Sequence, residues 1–454
     1  MIVRACVRGL SQSLAVILLA VVALVTGGSG CSSGRSVAPP GQAGPKAEAG
    51  VPGAEAGTAG VEAGVTDEAG VTAEAGVVGV DAGDRARERR ERARRSPLGT
   101  NLVLMKPWSG EWPFKDVVRQ GMTWRSERGM GVADSRPLRM DAAGWITQLE
   151  AGQRAAMRFF NGARAYPAGL YFVTWEGDGR LEYENVQVVG QQSASATIRA
   201  DGTTTFGVHI VSTNPANPLR NLRVLMPGGS CAADETAYCT TDADCGGSTC
   251  QPFAATAATQ PYHPTFLRSN EPYSTLRFMH WAETIGTPVR TWSQRVPPDA
   301  ATYVPAGVPY EAMIQLCNTL GTDIWLTTPL HADDDYITRL ANLVRDSLGP
   351  EQKVYIEYSN EVWNAGFPMF GETRDAGLRA GLGPDPYVAM QRQYARRAVA
   401  MFRVFTTAFG PTASSRVVRV LAGHSESDYG TRTQLDFEDS FRHADAYAIA
   451  PYFG

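Results

Sequence analysis

The residues best suited to chemistry lie in VYIEYSNEVWN (residues 354–364), where an apolar run leads into polar and aromatic side chains. Asn360 and Glu361 follow the run directly, and Trp363 stands beside them. At the carboxyl end of a parallel strand, such residues reach the rim where barrel active sites form. A glutamate there can protonate a glycosidic oxygen as a general acid. The alternative role is a glutamate that only caps the following turn.

The elements that position this segment alternate between short apolar runs and helical patterns, which is typical of βαβ units and a parallel sheet. Strands are predicted at residues 275–280, 288–292, 323–328, 354–358, 417–421 and 446–450, and helices at 310–320, 335–348, 386–409 and 434–441. The helix at 386–409 is the best defined, with Asp385 as N-cap, Pro386 at its first position and Gly410 after it. A closed (β/α)8 barrel and an open doubly wound sheet both fit. The lack of a glycine-rich phosphate loop after the first strand disfavours a nucleotide-binding sheet.

The Asn360-Glu361 strand end resembles the fourth barrel strand of clan A glycoside hydrolases, in which asparagine precedes the acid/base glutamate. The resemblance implies that Glu361 is the acid/base and that Asn360 hydrogen-bonds a sugar 2-hydroxyl. Arg277, in a segment similar to the family's second strand, would support the nucleophile. Tyr452, in a segment similar to the sixth strand, would lie near that nucleophile.

A longer signature of RFMHW, HADDDYI and YIEYSNEVWN is similar to bacterial proteins described as cellulose-binding or cellulase-like, and it covers residues 99–454. It implies an α/β fold, a (β/α)8 TIM-type barrel that is incomplete at the C-terminus, with residues 101–105 as its first strand. A retaining member needs a second carboxylate about 5 to 5.5 Å from the first. The family carries it on the seventh strand, and no residue here matches it, so we expect a truncated barrel or a non-catalytic remnant.

Two functions therefore stay open. The first is a surface-anchored retaining glycoside hydrolase acting on a β-linked polysaccharide, cellulose-like or hemicellulose, with Glu361 as general acid/base. The second is a non-catalytic, cellulose-binding type of surface lipoprotein that grips polysaccharide without cutting it. We take the hydrolase as the prediction and the non-catalytic lipoprotein as the alternative.

Other candidate residues each have a structural alternative. The rings of Trp281, Trp292 and Trp363 could stack on sugars or could fill the core. His331 could line the sugar site or could be an ordinary rim residue. Arg277 could simply pair with Glu357, which shares its strand parity with Glu361. The acidic residues 333–335 precede a helix and are better explained as its cap than as a metal cluster.

The N-terminal third indicates export and a tether. Residues 1–30 have the basic and apolar regions of a signal peptide, and the apolar run at residues 14–26 is too short to span a bilayer. Cys31 follows a lipobox-like site and is a candidate for lipidation. Residues 31–96 form a low-complexity tether rich in Ala, Gly and Glu, ending in a basic stretch at 85–95. We interpret that stretch as a solvated helical end of the tether, the alternative being contact with an anionic surface.

The remaining chain divides by composition. Residues 97–137 are the predicted start of the barrel, 138–227 an inserted all-β module, 228–258 a disulfide-rich loop, and 259–454 barrel strands two to six. Within the β module, GLYFVTWEGDGRLEY (residues 169–183) has the pattern of a hairpin. The spacing of four cysteines lacks paired zinc knuckles and predicts two disulfides of undetermined connectivity among Cys231, Cys239, Cys245 and Cys250.

Charge and composition limit the partners. The formal net charge of −4 gives no indication of a nucleic-acid partner. We expect a monomer that needs no metal or cofactor, binds polysaccharide and reaches a membrane only through its lipid anchor. Its expected place is the cell envelope, as an outward-facing outer-membrane lipoprotein, or outside the cell.

Overall fold

The computed structural model describes residues 2–3, 16–17, 82–159, 166–304 and 306–450. All of these described residues belong to one compact unit. The lipidation candidate Cys31 and the predicted site residue Tyr452 lie outside the described residues. So do the tether up to residue 81 and the predicted export signal, apart from two dipeptides.

Strands and helices are numbered in chain order. The strands are β1 (Ile2–Val3), β2 (Val16–Ile17), β3 (Gly99–Asn101), β4 (Arg125–Gly129), β5 (Val132–Ala133), β6 (Arg139–Met140), β7 (Ile146–Gln148), β8 (Arg154–Phe159), β9 (Gly169–Glu176), β10 (Gly179–Glu184), β11 (Gln187–Gln191), β12 (Ser195–Ala200), β13 (Phe206–Thr213), β14 (Arg220–Leu225), β15 (Gly229–Cys231), β16 (Asp234–Cys239), β17 (Cys250–Pro252), β18 (Thr275–Arg277), β19 (Asp323–Thr327), β20 (Val354–Glu357), β21 (Val417–His424) and β22 (Ala446–Ala450). The α-helices are α1 (Ala82–Arg95), α2 (Phe253–Thr256), α3 (Pro264–Asn270), α4 (Tyr310–Leu320), α5 (Asp334–Ser347), α6 (Pro368–Arg379), α7 (Pro386–Phe409), α8 (Ala413–Arg416) and α9 (Asp428–Asp436). Short 3-10 helices are Val117–Gln120, Asp242–Cys245, Trp292–Gln294, Gly410–Thr412 and Phe437–His443.

The main sheet is a parallel half-barrel of six strands in the order β3-β18-β19-β20-β21-β22, with β1 and β2 continuing antiparallel beyond β22. Helices α4, α5 and α7 lie in the connections between its later strands and share one hydrophobic core with it. The predicted strands near residues 275, 323, 354, 417 and 446 are confirmed. They bring the carboxyl ends of β3, β18, β19 and β20 together at one rim.

The predicted (β/α)8 barrel is wrong. The described strands give a six-stranded half-barrel, and the remaining sheets are antiparallel. The connection from β3 to β18 contains an all-β module where a barrel has a single helix. Alternating strands and helices identify parallel βαβ units, but closure depends on strand number, tilt and shear, which the sequence pattern does not specify.

Helix α7 shows why its prediction succeeded. The side chain of Asp385 accepts a hydrogen bond from the Val388 backbone N–H, and Pro386 takes the first helical position. Gly410 follows the helix with φ 53°, a left-handed conformation that glycine adopts without a steric penalty. The apolar face between these ends packs into the core of the half-barrel.

The inserted module is a β-sandwich. A five-stranded sheet, β10-β13-β8-β4-β5, and a four-stranded sheet, β11-β12-β9-β14, contribute alternate side chains to one shared core. Strand β4 pairs with β8, so the module includes residues before 138, which had been predicted as the start of the barrel. The polar sequence of β4, RSERG, gives no alternating apolar signal.

The predicted hairpin at 169–183 is wrong, because its two strands lie in different sheets. β9 pairs with β12 and β14, and β10 pairs with β13. The link between them is an arch from one sheet to the other. At Gly177, φ is +80° and a Cβ would lie 2.1 Å from the Pro218 carbonyl oxygen, so the arch requires glycine.

The cysteine-rich segment contains the two predicted disulfides, Cys231–Cys245 and Cys239–Cys250. They staple the small sheet β16-β15-β17. Such bonds indicate an oxidising, extracellular type of environment. No helix in the described ranges has the length and apolarity needed to cross a membrane.

Helix α1 contains the whole basic stretch, and it packs against the protein more than a freely solvated stub would. The side chain of Arg89 is 12% exposed and forms an ion pair with Asp234 at 2.8 Å. A weaker pair joins Arg89 to Glu271 at 3.8 Å, and Ala93 is buried. These contacts fix the helix to β16 and the end of α3.

Candidate active site

The turn after β20 places Glu361 by means of unusual backbone geometry. Ser359 has φ +58° and Glu361 has φ +42°, both in the left-handed region that residues other than glycine rarely adopt. Such conformations cost of order 1–3 kcal/mol each and persist only where the surroundings hold them. Here Ser359 and Asn360 are fully buried, while Glu361 is partly exposed. The turn therefore anchors two residues and presents the third at the rim.

The carboxylate of Glu361 is oriented by its own turn. The side-chain amide of Asn364 donates a hydrogen bond of 2.9 Å to Oε2 of Glu361, and the Asn364 backbone N–H donates to the Glu361 carbonyl oxygen at 2.9 Å. These two contacts hold one carboxylate oxygen towards the protein. In the described part of the chain, Oε1 has no hydrogen-bond partner of this kind.

Glu361 lines an open cleft of about 560 Å³. The cleft is bounded by the turn after β20, the first turn of α7 and the end of β21. Its lining residues are Glu361, Trp363, Asn364, Ala365, Tyr387, His424 and Ser427.

Aromatic side chains form one wall of this cleft and extend it. The Tyr387 hydroxyl shares a hydrogen bond of 2.8 Å with Oγ of Ser427, which fixes the Tyr387 ring. The ring of Tyr429 stacks on Tyr387 with centroids 6.2 Å apart and planes 17° from parallel. Tyr429 is 62% exposed, so an aromatic strip runs outward from the cleft.

A buried polar network lies beneath Glu361. Arg277 donates to both oxygens of Glu357 at 2.9 to 3.2 Å and to Oδ1 of Asn360 at 3.0 Å. The indole N–H of Trp325 donates to Oε2 of Glu357 at 2.9 Å. Nη1 of Arg277 also approaches Oδ1 of Asn101 at 3.4 Å. The sheet register brings these residues together, because Asn101, Arg277 and Trp325 are neighbours on β3, β18 and β19.

The electrostatics of this network are set by burial. Glu357 is 2% exposed, and burial raises its pKa above the ordinary value. The hydrogen bonds from Arg277 and Trp325 oppose that rise, while the negative charge of Glu361 adds to it. Glu357 is therefore a structural counter-ion with its oxygens already occupied.

His280 follows β18 and lies close to both the network and Glu361. Burial, Arg277 and Lys106 lower the pKa of His280, and the charge of Glu361 works in the opposite direction. The imidazole is consequently biased towards its neutral form. His280 and Trp325 were missed as site residues. The sequence signals for His280 were its place at the end of the predicted strand 275–280 and within the RFMHW segment.

The structure brings together four of the predicted site residues and separates three. Glu361 and Trp363 line the cleft, and Asn360 and Arg277 lie beneath it. Trp281, Trp292 and His331 do not line the cleft.

Trp281 is a core residue, which corrects its prediction as a sugar platform. It is 1% exposed, stacks on Phe266 and donates its indole N–H to the Val103 carbonyl oxygen at 3.0 Å. A ring buried on both faces has no surface left for a ligand.

Trp292 and His331 have other surroundings. The Trp292 ring packs against the guanidinium of Arg295, 4.3 Å from its centroid. Nε2 of His331 pairs with a carboxylate oxygen of Glu372 at 2.8 Å, in a separate cavity of about 670 Å³. Neither residue is placed next to Glu361.

Comparison with known proteins adds no assignment, since no family model, curated protein or solved structure matches this chain.

Proposed function

We propose that this protein is a glycoside hydrolase that binds a β-linked polysaccharide in the Glu361 cleft, with Glu361 as the general acid. The observation that carries the proposal is the placement of Glu361. It stands on left-handed backbone after a parallel strand and faces an open cleft lined by Trp363 and Tyr387.

The surroundings suit a proton donor that must keep a fixed orientation. Asn364 binds one oxygen of Glu361, which leaves the other free to carry a proton towards a glycosidic oxygen. Beneath the cleft, Oδ1 of Asn360 accepts a hydrogen bond from Arg277, which ties the turn that carries Glu361 to the buried network. The rings of Trp363 and Tyr387 offer flat apolar surfaces on which pyranose C–H faces can pack.

A non-catalytic glycan-binding function is the second candidate, and a specific observation favours it. A retaining hydrolase needs two carboxylates about 5 to 5.5 Å apart. Within the described residues, Glu361 is the only carboxylate that lines the cleft. Glu357 is close, but it is buried and paired with Arg277.

We also propose that the protein acts at the cell surface. The disulfides support work in an oxidising compartment, and the lipobox-like sequence before Cys31 supports a lipid anchor. Mass spectrometry of the mature N-terminus tests this: an acylated Cys31 supports the anchor, and an unmodified N-terminus elsewhere removes it.

The deciding experiment compares the wild type with Glu361→Gln on insoluble cellulose, xylan and mannan. The matched control is Glu351→Gln, because Glu351 is an exposed carboxylate that precedes the same strand at its opposite end. Both released reducing ends and sedimented protein are measured. A hydrolase releases reducing ends in the wild type and control but not in Glu361→Gln.

The outcomes separate the two candidates. Binding to one glycan without reducing ends in any variant supports the non-catalytic function. Activity that survives in Glu361→Gln would exclude Glu361 as the acid. If the protein shows no binding to any of the three glycans and releases no reducing ends from them, both candidate functions are excluded.

A further inference from the structure

A second cavity, of about 560 Å³, lies where the loop after β18 meets the segment between β6 and β7 and the helices α4 and α5. Its volume is in the range typical of small-molecule sites. It shares no lining residue with the Glu361 cleft. The cavity is therefore a distinct site and does not depend on the proposed glycan function.

Glu283 is the unusual residue in this cavity. Its side chain is partly buried, and its backbone is left-handed, with φ +47°. Across the described ranges, its carboxylate has neither a hydrogen-bond partner nor an ion-pair partner. A partly desolvated, unpaired carboxylate on strained backbone is costly, which indicates that the position serves something other than stability.

Among the described residues that line the cavity, one charge is uncompensated. The other charged side chain in its lining is Arg295, which donates to both carboxylate oxygens of Glu311 at 2.9 and 2.7 Å. Because the Arg295–Glu311 pair has no net charge, the carboxylate of Glu283 makes the net charge of the cavity lining negative. Burial raises the pKa of Glu283, because the charged carboxylate is partly desolvated and has no nearby counter-charge among the described residues.

The walls around Glu283 are mainly apolar and aromatic. Trp124, Tyr310 and Tyr336 line the cavity together with Met140. The hydroxyls of Tyr310 and Tyr336 hydrogen-bond each other at 2.9 Å, which fixes both rings. Aromatic faces combined with a carboxylate are the recognition chemistry for ammonium groups.

We propose that this cavity binds an organic cation, an ammonium group carried on an apolar body, with Glu283 as its counter-ion. The aromatic rings contact the ligand's apolar part, and the carboxylate pairs with its charge.

Calorimetric titration of the full chain tests the proposal with hexylammonium chloride, and with 1-hexanol as the uncharged probe of matching shape. We expect the wild type to prefer the cation by about tenfold, the ratio that a modest charge contact supplies. Glu283→Gln should bind both probes equally weakly. Glu351→Gln and Glu361→Gln should keep the wild-type preference.

A second variant guards against a folding defect in Glu283→Gln. Ala142 lines the cavity and is exposed, so Ala142→Trp fills the space without disturbing the core, and it should abolish binding of both probes. Equal affinity of the wild type for hexylammonium and hexanol would overturn the proposal. So would a cation preference that persists in Glu283→Gln or in Ala142→Trp.

Discussion

Arg277 and Glu357 form a buried ion pair across the half-barrel, although their strands β18 and β20 are separated by β19. The long side chain of Arg277 reaches past the intervening strand, and the indole N–H of Trp325 on that strand donates to the same carboxylate. The pair is thus a clasp that links three neighbouring strands directly below the turn that carries Glu361.

Removing one half of this clasp should be severely destabilising. Arg277→Met leaves Glu357 buried and uncompensated, which we expect to lower the free energy of unfolding by about 3–5 kcal/mol. The double variant Arg277→Met/Glu357→Leu should recover much of that loss, since no unpaired charge remains. Urea denaturation of both single variants and the double variant measures the coupling. Strictly additive effects would show that the pair contributes nothing as a unit.

The strained turn before Glu361 makes a second prediction. Ser359→Gly should raise the free energy of unfolding by about 1 kcal/mol, because glycine adopts the left-handed conformation without a Cβ clash. Ser359→Ala is the matched control, since it also removes the buried hydroxyl but keeps the Cβ. Urea denaturation compares the two. Equal stabilities of the glycine and alanine variants would mean that the backbone at this position stores no strain.

His263 should make the protein sensitive to acid. Burial and the nearby charge of Lys115 lower the pKa of His263 to about 3, from an ordinary 6.5. Between these values the unfolded chain takes up a proton that the folded chain refuses, so stability present above pH 6.5 is lost as pH falls towards 3. The slope from this one group is at most about 1.4 kcal/mol per pH unit.

His263→Asn should flatten that slope while keeping the helix cap. His263 caps α3 by accepting a hydrogen bond from the Thr265 backbone N–H, and asparagine is a good N-cap. Chemical denaturation at a series of pH values from 3 to 7 measures the change. If the variant loses stability with acid as steeply as the wild type, another group controls the response.

The stacked tyrosines predict a dependence on glycan length, which rests on the proposed function. Because Tyr429 extends the aromatic wall outward from Tyr387, Tyr429→Ala should weaken binding of a hexasaccharide by about tenfold, the scale of a lost aromatic contact. A disaccharide held near Glu361 should be unaffected. Tyr429→Phe keeps the ring and should retain the affinity of the wild type. If Tyr429→Ala weakens binding of the disaccharide as much as binding of the hexasaccharide, Tyr429 does not contact the outer sugars of the longer glycan.

Much of the parallel sheet was predictable because its signals are local. The apolar strands and the caps of α7 depend on residues that are adjacent in sequence. The predicted strand at 288–292 failed because Thr291 and Gln294 form a capping box that begins the 3-10 helix Trp292–Gln294. The β-branched and aromatic residues of this segment favoured the strand prediction over the capping box, which the sequence also contains.

The candidate site was predictable only in part. An ion pair of Arg277 with Glu357 was one of the two roles considered for Arg277, and the structure contains that pair. The contributions of Trp325 and His280 depend on the register of neighbouring strands and on the loop after β18. The prediction that β9 and β10 lie in one sheet failed for the same reason. The arch at Gly177 has the turn residues typical of a hairpin, although it joins two different sheets. These are relations between distant residues, and one sequence does not specify them.

The insertion of the sandwich between β3 and β18 has a consequence for how the chain folds. Asn101 and Arg277 are neighbours in the sheet but stand 176 residues apart in sequence. Pairing them early would close a very long loop with little local reward, and such non-local contacts slow folding. A sandwich that forms first on its own core brings its two ends together and shortens the effective loop. We therefore expect β3 to dock on β18 only after the sandwich has folded, although β3 is not one of the sandwich strands.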